Sequence, residues 1–473
     1  MSQLRRFGSR APKRAWLSAL VALLVTISGS GCASEDADPP KSTGQSDATA
    51  AGQDAATDVA GDDTAADTAV GQDVLVPNTA DPLGLPLNLI PKDDEFMVAV
   101  IPDSQIYAEQ FPQTFERHMK WLADRAAAYN IVFVSHVGDI VQTGEKRNEW
   151  NVAVASYDWL RDAGVPHGLA IGSHDFSDSN QYDGPIKPCG GPGEVGCKVQ
   201  MYVEHFGAAL YKGKPWYRGA STTGESSYQI VEAGGFKLLF LHLMHDTPQP
   251  ELQWAGEVLD AHPDALVHLT THRYMFDYRL TEALPPPLGA VTAGRFNLIA
   301  YTVGGQSAGP TTATELFTDF ISTHPNIFMV HCGHVDAEFR MKDLNKAGLP
   351  VYQTLVDFQD MADGGGGWLR LLHFKPSQNK IDVLTLSTET GKLRTNGEGF
   401  EHSIGILEYY KNAYADDLAG LGLDMAELNA LLTGVKTPGA LRDSYFSSLY
   451  DAGDRDSRFT LDVDFKAYLD AAK

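Results

Sequence analysis

The chain has 473 residues and a formal net charge of −24, with 61 acidic residues against 37 Lys and Arg. An acidic balance of this size argues against nonspecific nucleic-acid binding. Apolar residues make up 43% of the chain, enough for a sizeable core, and no segment beyond residue 31 is long and apolar enough to be a transmembrane helix.

Residues 1–31 carry Arg5, Arg6, Arg10, Lys13 and Arg14, then the apolar run AWLSALVALLVTI, then small residues up to Cys32. That is the charge, core and cleavage-site order of a secretory signal. The stretch SGSGC resembles a bacterial lipobox, whose cysteine is lipidated. Gly29 stands where that pattern usually has Leu, and an ordinary signal cleaved nearby is the alternative. A lipid at Cys32 would be the chain's one membrane attachment, with the protein facing the periplasm or the cell exterior. From Ala33 to about Pro82 the composition is small and polar, with eleven acidic residues against Lys41. Such a segment cannot bury enough surface to offset its ordering entropy, so residues 32–90 are expected to be a disordered acidic linker.

A folded domain is expected over 91–402. FMVAVIPD (96–103) reads as a buried strand, and QTFERHMKWLADRAAAY has apolar residues at helical spacing. IVFVSHVGD (131–139), a helix around 153–163 and HGLAIGSHD (167–175) continue an alternation that indicates a largely parallel sheet. CGGPGEVGC follows, a loop that a Cys189–Cys197 disulfide would close. SYQIVEAGGFKLLFLHL (227–243) reads as two antiparallel strands about Ala233-Gly234-Gly235. A helix over PELQWAGEVLDAH, the strand ALVHLTTH (265–272) and a helix over TATELFTDFISTH come next. NIFMVHCGHVD (326–336), with Cys332 expected as a buried thiol, PVYQTLVDFQD, WLRLLHF and KIDVLTLST are further strands. The fold class is α/β: a two-sheet α-β-β-α sandwich of mixed strands, with a helical insertion at 403–455 and a terminal strand and helix (456–473) returning to the core.

Five of these strands end in polar residues of one chemical kind: Asp103 and Gln105, Asp139, His174 and Asp175, His272, and His334 with Asp336. A lone Asp after a strand is usually a turn or helix cap, and a lone His is more often structural than a ligand. Five such ends in one chain are explained more simply by one shared metal site, because open α/β sheets place ligands at the carboxyl ends of their strands.

The ordered series Asp-x-Gln, Gly-Asp, Gly-Ser-His-Asp, Thr-His and Gly-His-x-Asp resembles the calcineurin-like metallophosphoesterases, whose pattern is Asp-x-His, Gly-Asp, Gly-Asn-His-Asp or Glu, a lone His and Gly-His-x-His. IPDSQIY, with NEW at 148–150, is similar to a bacterial branch that has Gln in the first motif. The resemblance covers roughly residues 96–395. It implies two divalent metal ions bridged by Asp139, and a water-derived hydroxide attacking the phosphorus of a phosphomonoester or phosphodiester, on a small molecule or a polymer. One ion would take Asp103, Gln105 and Asp336; the other would take His272, His334 and Ser173. His174 would protonate the leaving oxygen, with Asp175 holding its ring. Gly172 is expected to permit the sharp turn before His174.

Gln105, Ser173 and Asp336 stand where the family commonly has His, Asn and His. The first site is therefore oxygen-rich and suits Mg²⁺, Mn²⁺ or Ca²⁺, while the second suits Zn²⁺, Mn²⁺ or Fe²⁺. Arg273 is a candidate phosphate contact, and His136, His242 and His245 are expected to support the site rather than form it. Two other functions fit the same residues: a catalytically weak binding module of this fold, and a Ca²⁺-dependent adhesion protein on an acidic stalk.

Overall fold

The computed structural model describes residues 75–176, 199–275, 311–335, 337–359, 361–394 and 456–473. The expected signal, Cys32, most of the acidic linker, the Cys189–Cys197 loop, Asp336 and the 403–455 insertion lie outside these residues.

Two mixed sheets form the framework. The first runs β13 (Arg458–Asp462), β12 (Lys380–Ser387), β11 (Trp368–Lys375), β1 (Phe96–Ile101), β2 (Ile131–His136) and β3 (His167–Leu169). β1, β2 and β3 are parallel, whereas β11, β12 and β13 add antiparallel neighbours on the other side of β1. The second runs β4 (Tyr217–Ala220), β5 (Ser227–Ala233), β6 (Phe236–His242), β7 (Ala265–Thr270), β8 (Ile327–Cys332), β10 (Pro350–Asp357) and β9 (Ala337–Leu344). Here β6, β7, β8 and β10 are parallel. β1, β7 and β8 are buried along their whole length, as central strands covered on both faces must be.

The sheets pack face to face through a shared core that includes Val98, Phe133, Leu238, Phe240, Phe328 and Leu372. Phe133 of β2 stacks on Phe240 of β6 with ring centroids 3.7 Å apart. Helices cover the outer faces. α1 (Gln105–Gln110), α2 (Pro112–Arg125) and α3 (Arg147–Asp162) pack on the first sheet, as does α4 (Gln200–Phe206). α5 (Gln249–Asp260) and the helical turns from Ala313 to Thr323 pack on the second. In α3 the buried Trp150, Ala153, Tyr157 and Leu160 recur at the 3–4 spacing that puts them on one face. α5 (here Gln249–Asp260) and the closing α6 (Phe465–Ala471) keep their apolar residues inward in the same way.

Two boundaries and one strand differ from expectation. α3 begins at Arg147, several residues before the amphipathic pattern shows, because Glu149 accepts the Thr143 amide (2.8 Å) and Trp150 donates its indole N–H to the Gly144 carbonyl (2.8 Å). The fold also begins earlier than residue 91. Leu85 is fully buried, Trp121 donates to the Leu83 carbonyl (2.7 Å), and Arg125 grips Asp81 through two hydrogen bonds, so the last part of the presumed linker is tied to α2. β4 was not foreseen, since its four residues include Gly219 and are only partly buried. Cys332 is a buried free thiol, as expected.

Candidate metal centre

β1, β2, β3, β7 and β8 all end at one edge of the two sheets, and each continues into a short polar loop. Asp139 follows β2 and His334 follows β8, and both non-glycine residues adopt a left-handed backbone (φ 51° and 74°). Strained backbone of this kind persists where surroundings over-determine it, and it clusters at functional sites. The loops touch because glycines let them. A Cβ on Gly172 would lie 2.1 Å from Asp139 Oδ1, and one on Gly333 would lie 1.9 Å from Asp103 Oδ1. Gly172 does not have a positive φ, so its requirement is this close approach rather than the sharp turn expected from the sequence.

Asp139 sits at the middle. Its Oδ1 accepts the His174 backbone N–H (2.8 Å), while Oδ2 lies 3.1 Å from His272 Nε2, 3.4 Å from Gln105 Nε2 and 3.9 Å from His174 Nε2. Asp139, His272 and His334 each present one ligand atom, all within 4.8 Å of one another. His272 Nδ1 is 3.1 Å from the Val137 carbonyl, which can only accept, so the ring carries a hydrogen on Nδ1 and presents Nε2 to Asp139. On the other side, Asp103 Oδ2 accepts the His334 backbone N–H (3.0 Å).

The buried atoms without a hydrogen-bond partner among the described residues include Asp103 Oδ1, Gln105 Oε1, Ser173 Oγ and His272 Nε2. Buried acceptors left in this state are costly. Together with Asp139 they form a donor set of oxygens and imidazole nitrogen that fits divalent cations. The electrostatics agree. Burial, with repulsion from Asp357 and Asp139, pushes the Asp103 carboxyl well above the usual carboxylate range. Burial, with Asp139 adding to it, pushes Asp175 up to about 8. Burial alone would raise Asp139 too, but His272 and His174 beside it hold it below the ordinary value. Cations would relieve the crowding of carboxylates.

Asp175 is not where its expected role would put it. Its Oδ1 accepts the Ile140 and Val141 amides (2.7 and 3.1 Å) and its Oδ2 accepts the Gly172 amide (2.9 Å), so it ties the Asp139 loop to the His174 loop. The His174 ring is oriented instead by the Gln142 carbonyl, 2.8 Å from Nδ1, which leaves Nε2 toward Asp139. Arg273 is buried and forms a two-point ion pair with Asp246, so its guanidinium is already engaged by a carboxylate rather than held open for phosphate. His245 is also buried beside the site, its ring centroid 5.5 Å from that of His272 and 6.0 Å from that of His334. His136 contacts Ser104 Oγ (3.0 Å) and accepts the Gly138 amide, and His242 contacts Ser135 Oγ (2.9 Å), so both brace the scaffold.

Two residues at this edge went unnoticed in the sequence, Asp357 and Gln359. Asp357 ends β10 and Gln359 follows it; β10 is a parallel strand whose carboxyl end points the same way, and that position was the available signal.

No family model matches the chain. An uncharacterized protein of Bacillus subtilis (strain 168), YvnB, is 26% identical over 303 residues, which is 63% of this chain and 20% of that protein. The chain thus spans about a fifth of the length of the curated relative it matches. Among solved structures, the purple acid phosphatase PPD1 from yellow lupin (Lupinus luteus) seeds is similar, with a TM-score of 0.37 and 12% identity over 64% of this chain and 53% of that one. A dimetal phosphatase from Danio rerio gives 0.35 and 11% over 62% and 96%. Likenesses of that size carry no weight.

Proposed function

We propose that the protein is a metal-dependent phosphoesterase that hydrolyses a phosphomonoester or phosphodiester at a dinuclear centre. The observation that carries this reading is the pair His272 Nε2 and Asp139 Oδ2, two potential ligand atoms 3.1 Å apart in a buried site, with Asp103 Oδ1, Gln105 Oε1 and Ser173 Oγ buried and without a partner among the described residues. Asp139 would hold both ions. Asp103, Gln105 and Asp336 would complete the ligands of one, and His272, His334 and Ser173 those of the other. Divalent cations bound there supply charge neutralisation for phosphoryl oxygens and lower the pKa of coordinated water. The chain's own residues do the rest. The Val137 carbonyl fixes the His272 tautomer, Asp175 locks the two loops together, and His174 keeps Nε2 facing the centre, where it can hold a proton for the leaving oxygen. Mn²⁺, Mg²⁺ or Ca²⁺ suits the oxygen-rich first site, and Zn²⁺, Mn²⁺ or Fe²⁺ the second.

The reading extends to place: an exported protein, lipid-anchored at Cys32, acting on phosphoesters that reach the periplasm or cell exterior. Replacing Cys32→Ser should move the protein from membranes to the soluble fraction; retention on membranes counts against the anchor. For the chemistry, metal content and turnover of an aryl phosphate are measured on the same preparation. Metal-dependent turnover supports the enzyme, and bound metal without turnover of aryl or alkyl phosphates indicates a binding module.

A further inference from the structure

Gln105 is a neutral amide at a position where the site needs an oxygen, and an amide can present either end. Its orientation is set by a chain of contacts that starts at β10. Asp357, fully buried at the end of that strand, accepts the Gln359 backbone N–H at Oδ1 and the Gln359 side-chain Nε2 at Oδ2, both at 3.0 Å. With its amide nitrogen held there, Gln359 turns Oε1 outward, and Gln105 Nε2 donates to it. The same Gln105 nitrogen lies 3.4 Å from Asp139 Oδ2. Both neighbours are acceptors, so nitrogen is the end that must face them. Gln105 Oε1 is left buried and without a partner among the described residues, as is Asp103 Oδ1.

The segment that follows holds the same helix. The Gly367 amide donates to the Tyr107 hydroxyl (2.9 Å), and Gly364, at φ 74°, packs so closely on Ile106, Phe111 and Tyr107 that a Cβ would approach them to between 3.0 and 3.2 Å. Asp357, Gln359, Gly364 and Gly367 therefore fix both the side chain of Gln105 and the helix that begins with it.

We propose that Asp357 and Gln359 are positioning residues for the first metal site, holding Gln105 with its oxygen toward the ion. The inference rests on the metal-centre reading above. Without Gln359, the Gln105 amide could rotate and offer nitrogen-bound hydrogens where a cation needs a lone pair. Partners that orient a ligand in this way are typically worth about 10- to 100-fold in metal affinity.

The test titrates metal-free protein with Mn²⁺ and resolves the two sites by calorimetry and by the electron-paramagnetic signal of free Mn²⁺. Gln359→Leu should weaken one site by about 10- to 100-fold and leave the other within about twofold; Asp357→Asn should weaken the same site less. In a Gln105→Ala background, Gln359→Leu should cost nothing further, because the residue acts through Gln105. A general structural role would make the two losses additive, and additivity overturns the inference, as does unchanged affinity at both sites. If Gln359→Leu fails to fold, the cycle is run with Gln359→Glu, which keeps an acceptor for Gln105 but loses the amide anchored by Asp357, with the same non-additivity expected. A wild-type chain that binds no Mn²⁺ overturns the metal-centre reading itself; one with two sites, both indifferent to Gln359, overturns this inference alone.

Discussion

His272 Nε2 and Asp139 Oδ2 face each other across 3.1 Å, with the His272 hydrogen committed to the Val137 carbonyl on the far side of the ring. A divalent cation held by both atoms would bridge them. Asp139→Asn removes the carboxylate and should abolish the stabilisation conferred by metal, which is about 2.7 kcal/mol at a hundredfold excess over Kd. Thermal melts with and without Mn²⁺ read it. A metal-dependent rise in Tm that survives in Asp139→Asn would place the ions elsewhere.

His174 tests the division between ligand and acid. Its backbone N–H supports Asp139 and its Nδ1 is held by Gln142, so His174→Ala keeps the first contact and removes only the ring. Metal content should stay nearly intact while kcat falls by roughly 10²- to 10⁴-fold. The loss should be largest for alkyl phosphates and smaller for aryl phosphates, whose leaving group needs little protonation. Loss of metal along with activity would make His174 a ligand instead.

Asp175 should act through stability. Asp175→Ala leaves the Ile140, Val141 and Gly172 amides without their acceptor, at about 1–3 kcal/mol for each group that stays buried and unsatisfied. Urea unfolding of the metal-free protein should show a loss of several kcal/mol. A variant with wild-type stability and a lowered kcat would restore the ring-orienting role that the sequence suggested.

What the sequence disclosed and what it hid have different physical causes. Strand ends were legible because apolar runs such as FMVAVI and IFMVHC stop abruptly at Asp or Gly-His, and a parallel sheet brings those ends together. The role of Asp175 was hidden because a side chain in a tight loop chooses among backbone amides that only the folded loops bring near. Gln359 was hidden because its meaning depends on Gln105, 254 residues away. The engagement of Arg273 by Asp246 likewise joins the loops after two different strands, β6 and β7.

Away from the centre, His118 gives a pH dependence. It is fully buried in α2, with Nδ1 3.1 Å from Thr388 Oγ1, and burial lowers its pKa to about 4. Because the folded state resists the proton that the unfolded chain accepts near 6.5, stability is present above pH 6.5 and is lost as pH falls to about 4, by on the order of 3 kcal/mol. His167, lowered to about 4 by burial, acts in the same direction. Denaturation midpoints of metal-free protein between pH 7 and 4 should fall accordingly, and His118→Leu should flatten part of that fall. A slope that His118→Leu leaves unchanged would assign it to other groups.

The most direct measurement is a titration of metal-free protein with Mn²⁺ in which bound metal and hydrolysis of an aryl phosphate are followed together. Two ions should bind per chain, turnover should rise with occupancy, and a chelator should abolish it. Hydrolysis that persists undiminished under chelation, or a chain that takes up no divalent ion, would contradict the assignment of this edge of the sheets as a metal-dependent phosphoesterase centre.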